Sequence, residues 1–335
     1  MRGVVIAAAV AAWVFGGSAG AQDAPGEVRP PEWLKRPSGS EMIKYYPSDV
    51  LDRSISGQAT VRCSVRLDTR LEDCEVVSEA PWGMGFGEAS LRMLVDTARF
   101  RPMMVEGKPV AGGKVTIPVK IASPTPSARY VILEPVWDRA PSFDDMAAAW
   151  PASAGPLGEG VAVLRCALGA DGGLDRCTVA SVKPSAAEFG RAALSLTGKF
   201  RMKLTPQESA RYAQSDVLIS FRFLNPASAG ARARTVDKPR WITSLKPEAV
   251  VAVYPAQAAD AGITSGRATV DCLVGPDGKL TDCQVSRERP VNLGFGQSAL
   301  AIAGLMQMNP WTDDGRPVAG ARIKLPVDLN YAGGQ

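Results

Sequence analysis

The chain has 335 residues, 46% hydrophobic and 21% charged, which is the composition of a globular protein long enough for two or three domains. Its net charge is +4, and its 38 basic and 34 acidic residues form no basic run or aromatic-interleaved basic stripe, which argues against nucleic acid as a partner. The sequence contains no histidine, which excludes a Ser-His-Asp triad, a Cys-His dyad and histidine-ligated zinc or haem. A histidine-free hydrolase that works through carboxylates, Lys, Tyr or Ser stays as an alternative.

The first 21 residues have the pattern of a secretory signal peptide. Met1-Arg2 is a short positive region, Val4 to Phe15 is apolar, and Ala19-Gly20-Ala21 is a cleavage site of small residues. The apolar stretch has 12 residues, fewer than the roughly 20 that span a bilayer. We therefore expect a periplasmic protein that is cleaved after Ala21 and begins at Gln22. The alternative is an uncleaved segment that anchors the protein in the inner membrane.

Landmark residues recur at fixed spacing along the rest of the chain. The cysteines form three pairs, each eleven residues apart: Cys63 and Cys74, Cys166 and Cys177, Cys272 and Cys283. A glycine lies six residues before each pair, and a Phe-Gly dipeptide begins twelve residues after it. Self-similarity at fixed offsets indicates tandem units, here domain-sized. We predict three domains, at residues 22–126, 127–228 and 229–335, of which the middle one is degenerate.

Within each unit the predicted elements follow one order. In the third unit, residues 268–274 and 280–285 are two strands joined by a Pro-Asp-Gly hairpin turn. A helix follows Phe-Gly at residues 297–306, and a last strand covers residues 322–329. The predicted fold class is α+β, in three tandem β-β-α-β units, each a small antiparallel sheet packed on a helix.

The cysteine pairs are best explained as hairpin disulfides. A two-residue turn centred on Asp277-Gly278 places Cys272 directly opposite Cys283, within disulfide reach, and the same arithmetic applies to the other two pairs. Zinc sites favour closely spaced cysteines, and redox couples favour an exposed C-x-x-C, whereas these cysteines lie on the apolar face of strands. An even number of cysteines with an export signal predicts structural disulfides. We predict no metal and no cofactor.

The ordered motifs resemble the TonB C-terminal domain family. The order is Tyr-Pro, a Gly before a strand, an Asp-Gly hairpin, a Phe-Gly helix, Gly-Lys/Arg-Pro-Val and an apolar-Pro-Val strand, over Val50 to Ile121 and Pro255 to Leu329. The middle unit resembles the family through its cysteines, Gly160 and Phe189-Gly190. The resemblance implies a non-enzymatic domain that adds an extended segment of an outer-membrane receptor to a sheet edge.

The implied partners are protein or peptide segments of the cell envelope, outer-membrane receptors among them, with membrane contact only if the N-terminal segment is uncleaved. The family's energy transducers also have an inner-membrane anchor and a long Pro-rich spacer. Here ten residues separate Gln22 from Trp33. A membrane-anchored energy transducer for outer-membrane transport is therefore the alternative to a periplasmic binding protein.

Two prolines point to the candidate binding surface. Pro118 and Pro326 lie inside the last strands, and because proline cannot donate to a ladder, we predict edge strands with that position facing outward. The proline either protects the edge from aggregation or sets the register of an added strand. Ser220 replaces it in the middle unit, so we expect that edge to pair with a neighbouring unit or a partner. The candidate edge-strand binding residues are Val115, Ile117, Pro118, Val119, Ile219, Ser220, Phe221, Ile323, Leu325, Pro326 and Val327.

Overall fold

The computed structural model describes residues 28–330, apart from Pro126 and Ser244. The predicted signal peptide, residues 1–21, lies outside the described residues. None of the helices within the described range is long and apolar enough to cross a membrane.

The first unit contains the predicted hairpin, helix and last strand, with short additional strands before and after the helix. Its elements in chain order are β1 (Val28–Arg29), β2 (Glu32–Lys35), α1 (Gly39–Lys44), a 3-10 helix (Ser48–Arg53), β3 (Gly57–Val65), β4 (Leu71–Ala80), α2 (Phe86–Thr97), β5 (Arg99–Arg101), β6 (Met103–Val105), β7 (Lys108–Val110) and β8 (Gly113–Ile121).

The middle unit replaces the β6–β7 hairpin with a helix. Its elements are β9 (Val131–Ile132), β10 (Trp137–Arg139), α3 (Phe143–Ala148), a 3-10 helix (Ala152–Ala154), β11 (Glu159–Leu168), β12 (Leu174–Lys183), α4 (Phe189–Leu196), a 3-10 helix (Thr197–Lys199), β13 (Arg201–Met202), α5 (Pro206–Tyr212) and β14 (Asp216–Leu224). The helix α5 forms because Thr205 and Glu208 make a capping box and Pro206 occupies its first turn.

The third unit follows a segment of short helices. Its elements are α6 (Ala229–Ala233), α7 (Pro247–Ala252), α8 (Ala256–Asp260), β15 (Ser265–Val274), β16 (Leu280–Arg289), α9 (Phe295–Leu305) and β17 (Arg322–Asn330).

The three main sheets share one topology, which confirms the α+β prediction. The first strand of each hairpin is central, with its hairpin partner on one side and the last strand on the other: β4-β3-β8, β12-β11-β14 and β16-β15-β17. All of these pairs are antiparallel. In the middle unit the short strand β9 adds to β14 in parallel.

The predicted disulfides are present in all three hairpins, with Cα–Cα distances of 4.2, 4.0 and 4.0 Å. The predicted two-residue turn is wrong, because the N–H of Gly275 donates to the carbonyl of Lys279 at 2.8 Å and closes a three-residue loop. This loop shifts the pairing by one residue, and a bulge at Asp282, whose φ is +49°, shifts it back. Cys272 therefore meets Cys283 as predicted, because the two deviations cancel. The other hairpins repeat both features.

The recurrent glycine and phenylalanine pack against each other. A Cβ added at Gly160 would lie 2.0 Å from the ring of Phe189, and the equivalent glycines of the outer units face their phenylalanines in the same way. Phe189 begins helix α4 and is completely buried. The bare backbone of the glycine therefore sets how closely the helix approaches the sheet.

The hydrophobic cores continue across the unit boundaries. Each unit has one cluster centred on its helix and hairpin, but the first cluster also includes Val163, Ala180 and Leu218 of the middle unit. The middle cluster in turn includes Trp311 of the third unit. The middle sheet is therefore covered on both faces, by its own helix on one side and by the first unit on the other.

Candidate functional site

The last strand of each outer unit lies at the edge of its sheet, with the proline facing outward as predicted. Pro118 on β8 lies opposite Thr60, and Pro326 on β17 lies opposite Thr269. Both proline side chains are exposed. In the described part of the chain, no further strand pairs with the outer side of β8 or β17, apart from an isolated bridge between Thr235 and Arg322.

The hydrogen bonds of Arg322 show which backbone groups of β17 point away from the sheet. Its N–H donates to the carbonyl of Arg234 at 2.9 Å, and its own carbonyl accepts from the N–H of Val236 at 3.1 Å, both outside the sheet. In antiparallel pairing, the N–H and C=O of one residue point to the same side, and the side alternates along the strand. The register of β17 is unbroken, so the backbone of Pro326 also points away from the sheet. The sheet therefore loses no hydrogen bond through the N–H that proline lacks.

The same alternation decides which side chains and backbone groups a partner strand would meet. On β17 the outward backbone groups belong to Lys324 and Asp328, together with the carbonyl of Pro326. On β8, which has the same unbroken register, they belong to Lys114, Thr116, Pro118 and Lys120. The predicted apolar candidates alternate with these residues and turn toward the core: Val115 is half-buried, and Ile117, Val119, Ile323, Leu325 and Val327 are buried.

The equivalent edge of the middle unit is covered by the chain itself. The N–H of Asp216 donates to the carbonyl of Tyr130 at 2.8 Å, beside the parallel strand β9. The N–H of Arg222 donates to the carbonyl of Gly315 in the third unit, also at 2.8 Å. This matches the expectation that an edge without proline pairs with a neighbouring unit.

The three candidate residues on this middle strand are enclosed by the protein. Ile219 and Phe221 are buried in the core of the middle unit. Ser220 is also buried, and its hydroxyl donates to the carbonyl of Trp82 in the first unit at 2.8 Å. An outside strand therefore has no access to β14 at these positions.

Two buried residues of the third unit fix it to the middle unit. The indole N–H of Trp311 donates to the carbonyl of Ser220 at 3.0 Å, and its ring lies edge-on to Phe200 and Phe221. The side-chain amide of Asn309 accepts from the N–H of Trp137 at 2.9 Å and donates to the carbonyl of Pro135 at 3.1 Å.

Arg222 lies at the junction of all three units. Its guanidinium pairs with Glu159 at 2.7 Å and with Asp314 of the third unit at 3.3 Å, and it lies 5.5 Å from the ring centre of Trp82 in the first unit. Burial alone would lower the pKa of Arg222, but the hydrogen bonds and charges of the two carboxylates outweigh it and raise that pKa above its ordinary value. The arginine therefore stays charged and bridges the units.

The first unit rests on the open face of the middle sheet. The guanidinium of Arg53 donates to the carbonyl of Val179 at 3.1 Å, and Arg165 donates back to the carbonyl of Arg53 at 3.1 Å. A Cβ added at Gly83 would lie 2.8 Å from Val161. These contacts surround the apolar cluster that the two units share.

Sequence reasoning did not identify Asn309 and Trp311 as contact residues, although the repeat carries a signal for them. The outer units match closely in the turn that follows, yet the first unit has Arg101 and Met103 at the corresponding positions. At these two positions, the departure from the repeat marks a residue that contacts the middle unit.

Comparison with known proteins agrees with this architecture. Residues 43–120 and 251–330 match the family model described as Gram-negative bacterial TonB protein C-terminal. An uncharacterized protein of Caulobacter vibrioides is 43% identical over 62 residues, which are 18% of this chain and 62% of that protein. The first and third units thus match the TonB C-terminal family model, and the middle unit repeats their fold and disulfide outside the matched regions.

Proposed function

We propose that this protein is a non-enzymatic periplasmic protein that binds extended segments of envelope proteins, outer-membrane receptors among them, by strand addition to β8 and β17. The observation that carries the proposal is the difference between the three equivalent edges. Among the described residues, the outer two present unpaired backbone groups, on β17 beyond Arg322, whereas the middle one is closed by Tyr130, Trp311 and Gly315. Strand addition uses such groups for affinity and side-chain contacts for specificity.

The middle unit acts as the scaffold in this proposal. Its edge strand β14 contacts the third unit through the backbone of Arg222. Its open sheet face contacts the first unit through Ser220 and Leu218. The two binding edges are thereby carried on one connected body rather than on flexibly linked domains.

The exposed side chains on the two edges favour an acidic partner segment. Lys114 and Lys120 project from β8, and Lys324 projects from β17. Opposite charges in cross-strand positions stabilise a sheet by about 0.2–1 kcal/mol per pair. We expect the bound segments to alternate apolar or neutral residues with Asp or Glu.

Site-directed photo-crosslinking in the native host tests the proposal at β8. A benzoylphenylalanine at Lys120 should form adducts with envelope proteins, and Thr116→Pro should abolish them. Thr116→Pro removes an outward N–H and leaves the pairing with β3 intact, as Pro118 already does. The matched control Thr116→Ala keeps the backbone donor and should retain the adducts.

The same design applies to β17, with the photo-crosslinker at Lys324 and Asp328→Pro compared with Asp328→Ala. Both variants lose the ion pair between Asp328 and Arg267, so the comparison isolates the backbone donor. Adducts that persist in both proline variants, with unchanged melting temperature, would contradict strand addition. N-terminal sequencing of the exported protein separates the alternatives, since an uncleaved N-terminus would favour the membrane-anchored energy transducer.

A further inference from the structure

A cavity of about 330 Å³ lies where the middle unit meets the third unit, and none of its lining residues belongs to β8 or β17. Its apolar walls come from Phe143 and Met146 on α3, Leu224 at the end of β14, Ala231 on α6, and Pro317. Ligand sites occur preferentially at such domain interfaces, and this volume falls in their usual range of roughly 300–1,000 Å³.

Four arginines surround this apolar space: Arg222, Arg232, Arg234 and Arg316. The guanidinium of Arg234 pairs with Asp144 at 2.5 Å, and Asp314 pairs with both Arg222 and Arg316.

Arg232 differs from the other three, because within the described part of the chain it forms no ion pair with a carboxylate. Its side chain is exposed at the rim, on the short helix α6. The cavity therefore combines an apolar interior with one available cation at its entrance.

We propose that the cavity binds a small anionic amphiphile, with an alkyl chain against Met146 and Leu224 and a carboxylate at Arg232. A group of the size of water takes about 30 Å³, so the cavity volume accommodates a chain of about ten carbons. A carboxylate fits because charge-assisted hydrogen bonds to a guanidinium are roughly twice as strong as neutral ones. A cationic head group would be repelled by Arg232, whose charge has no carboxylate partner in the described residues, and a neutral one would lose the charge-assisted contact with it.

Isothermal titration calorimetry on the full exported chain tests this site with three ligands of equal chain length: sodium decanoate, decanol and decyltrimethylammonium. Decanoate should bind at least tenfold more tightly than decanol, and the cation should show no binding. Equal affinities for decanoate and decanol would overturn the assignment of the head group to Arg232.

Paired variants locate the site. Ala147→Trp fills the cavity from an exposed wall position and should abolish decanoate binding, whereas Ala148→Trp adds the same ring one residue away, outside the lining. Arg232→Glu should weaken binding at least tenfold, whereas Arg287→Glu makes the same charge change at an exposed position on β16. Binding that survives Ala147→Trp, or that falls equally in both members of a pair, would refute the proposal. Melting temperatures near that of the unmodified chain exclude misfolding as the cause.

Discussion

Replacing Trp311 by alanine should detach the third unit from the edge of the middle unit. The indole is 3% exposed and packs on two phenylalanines in the middle core, so its truncation should cost about 3–5 kcal/mol. The carbonyl of Ser220 also loses its indole donor, which adds about 1 kcal/mol or more if that carbonyl stays buried. The conservative change Trp311→Phe keeps most of the packing and should cost about 1–2 kcal/mol.

Hydrogen exchange at the amide of Arg222 reports this detachment directly, because that N–H donates to Gly315 of the third unit. A loss of about 4 kcal/mol corresponds to a fall in protection on the order of a thousandfold, if exchange proceeds through release of this contact. The amide of Lys324 on the open edge serves as the internal control and should keep its exchange rate. A cost below 1 kcal/mol by chemical denaturation, with unchanged exchange at Arg222, would refute the docked arrangement.

Three further changes test the fold. Gly160→Ala drives a Cβ into a buried ring and should destabilise the chain by about 1–3 kcal/mol in urea unfolding, whereas Gly158→Ala meets no atom within 4 Å and should be nearly neutral. The double change Cys272→Ser with Cys283→Ser opens one short loop and should cost about 3 kcal/mol in the same assay; no loss would contradict a structural disulfide. The pKa of Glu41 is lowered from 4.5 to about 2, first by a hydrogen bond from the backbone at the helix N-cap. The stabilising contribution of the ionised Glu41 is therefore present above pH 4.5 and lost as the pH falls toward 2. Glu41→Gln should flatten the dependence of unfolding free energy on pH in that window. An unchanged dependence would contradict a stabilising role of the Glu41 carboxylate.

The repeat made the local structure predictable. Fixed offsets identified each hairpin, each disulfide and the outward proline of each open edge, because these features depend on residues close together in the chain. The turn length was not predictable, since a three-residue loop with a later bulge gives the same cysteine pairing as a two-residue loop without one. The bulge residue Asp282 has no distinctive side-chain signal, because Asp73 and Arg176 adopt the same backbone conformation.

The packing of the units on one another could be predicted only in part. The missing proline at Ser220 indicated that the middle edge is paired, but nothing in β14 identifies which unit covers it. The covering residue Gly315 belongs to a turn that the first unit also has, so the turn sequence does not distinguish a docked hairpin from an exposed one. The distinguishing residues are Asn309 and Trp311, whose partners are more than 90 residues away along the chain.

The distribution of proline among the three equivalent edges connects protection with function. Pro118 and Pro326 occur where the edge is open, and Ser220 occurs where the same position is covered by Trp82 and Trp311. Protection against aggregation is needed only at an open edge, so this distribution is what protection alone would produce. The outward prolines nevertheless keep their own outward carbonyls, and the nearest outward residues, Thr116 and Lys120 on β8 and Lys324 and Asp328 on β17, keep both donor and carbonyl. Each proline removes the central donor from the ladder of an added strand. A partner must therefore bind in a register that tolerates this gap, which restricts pairing to selected segments without closing the edge.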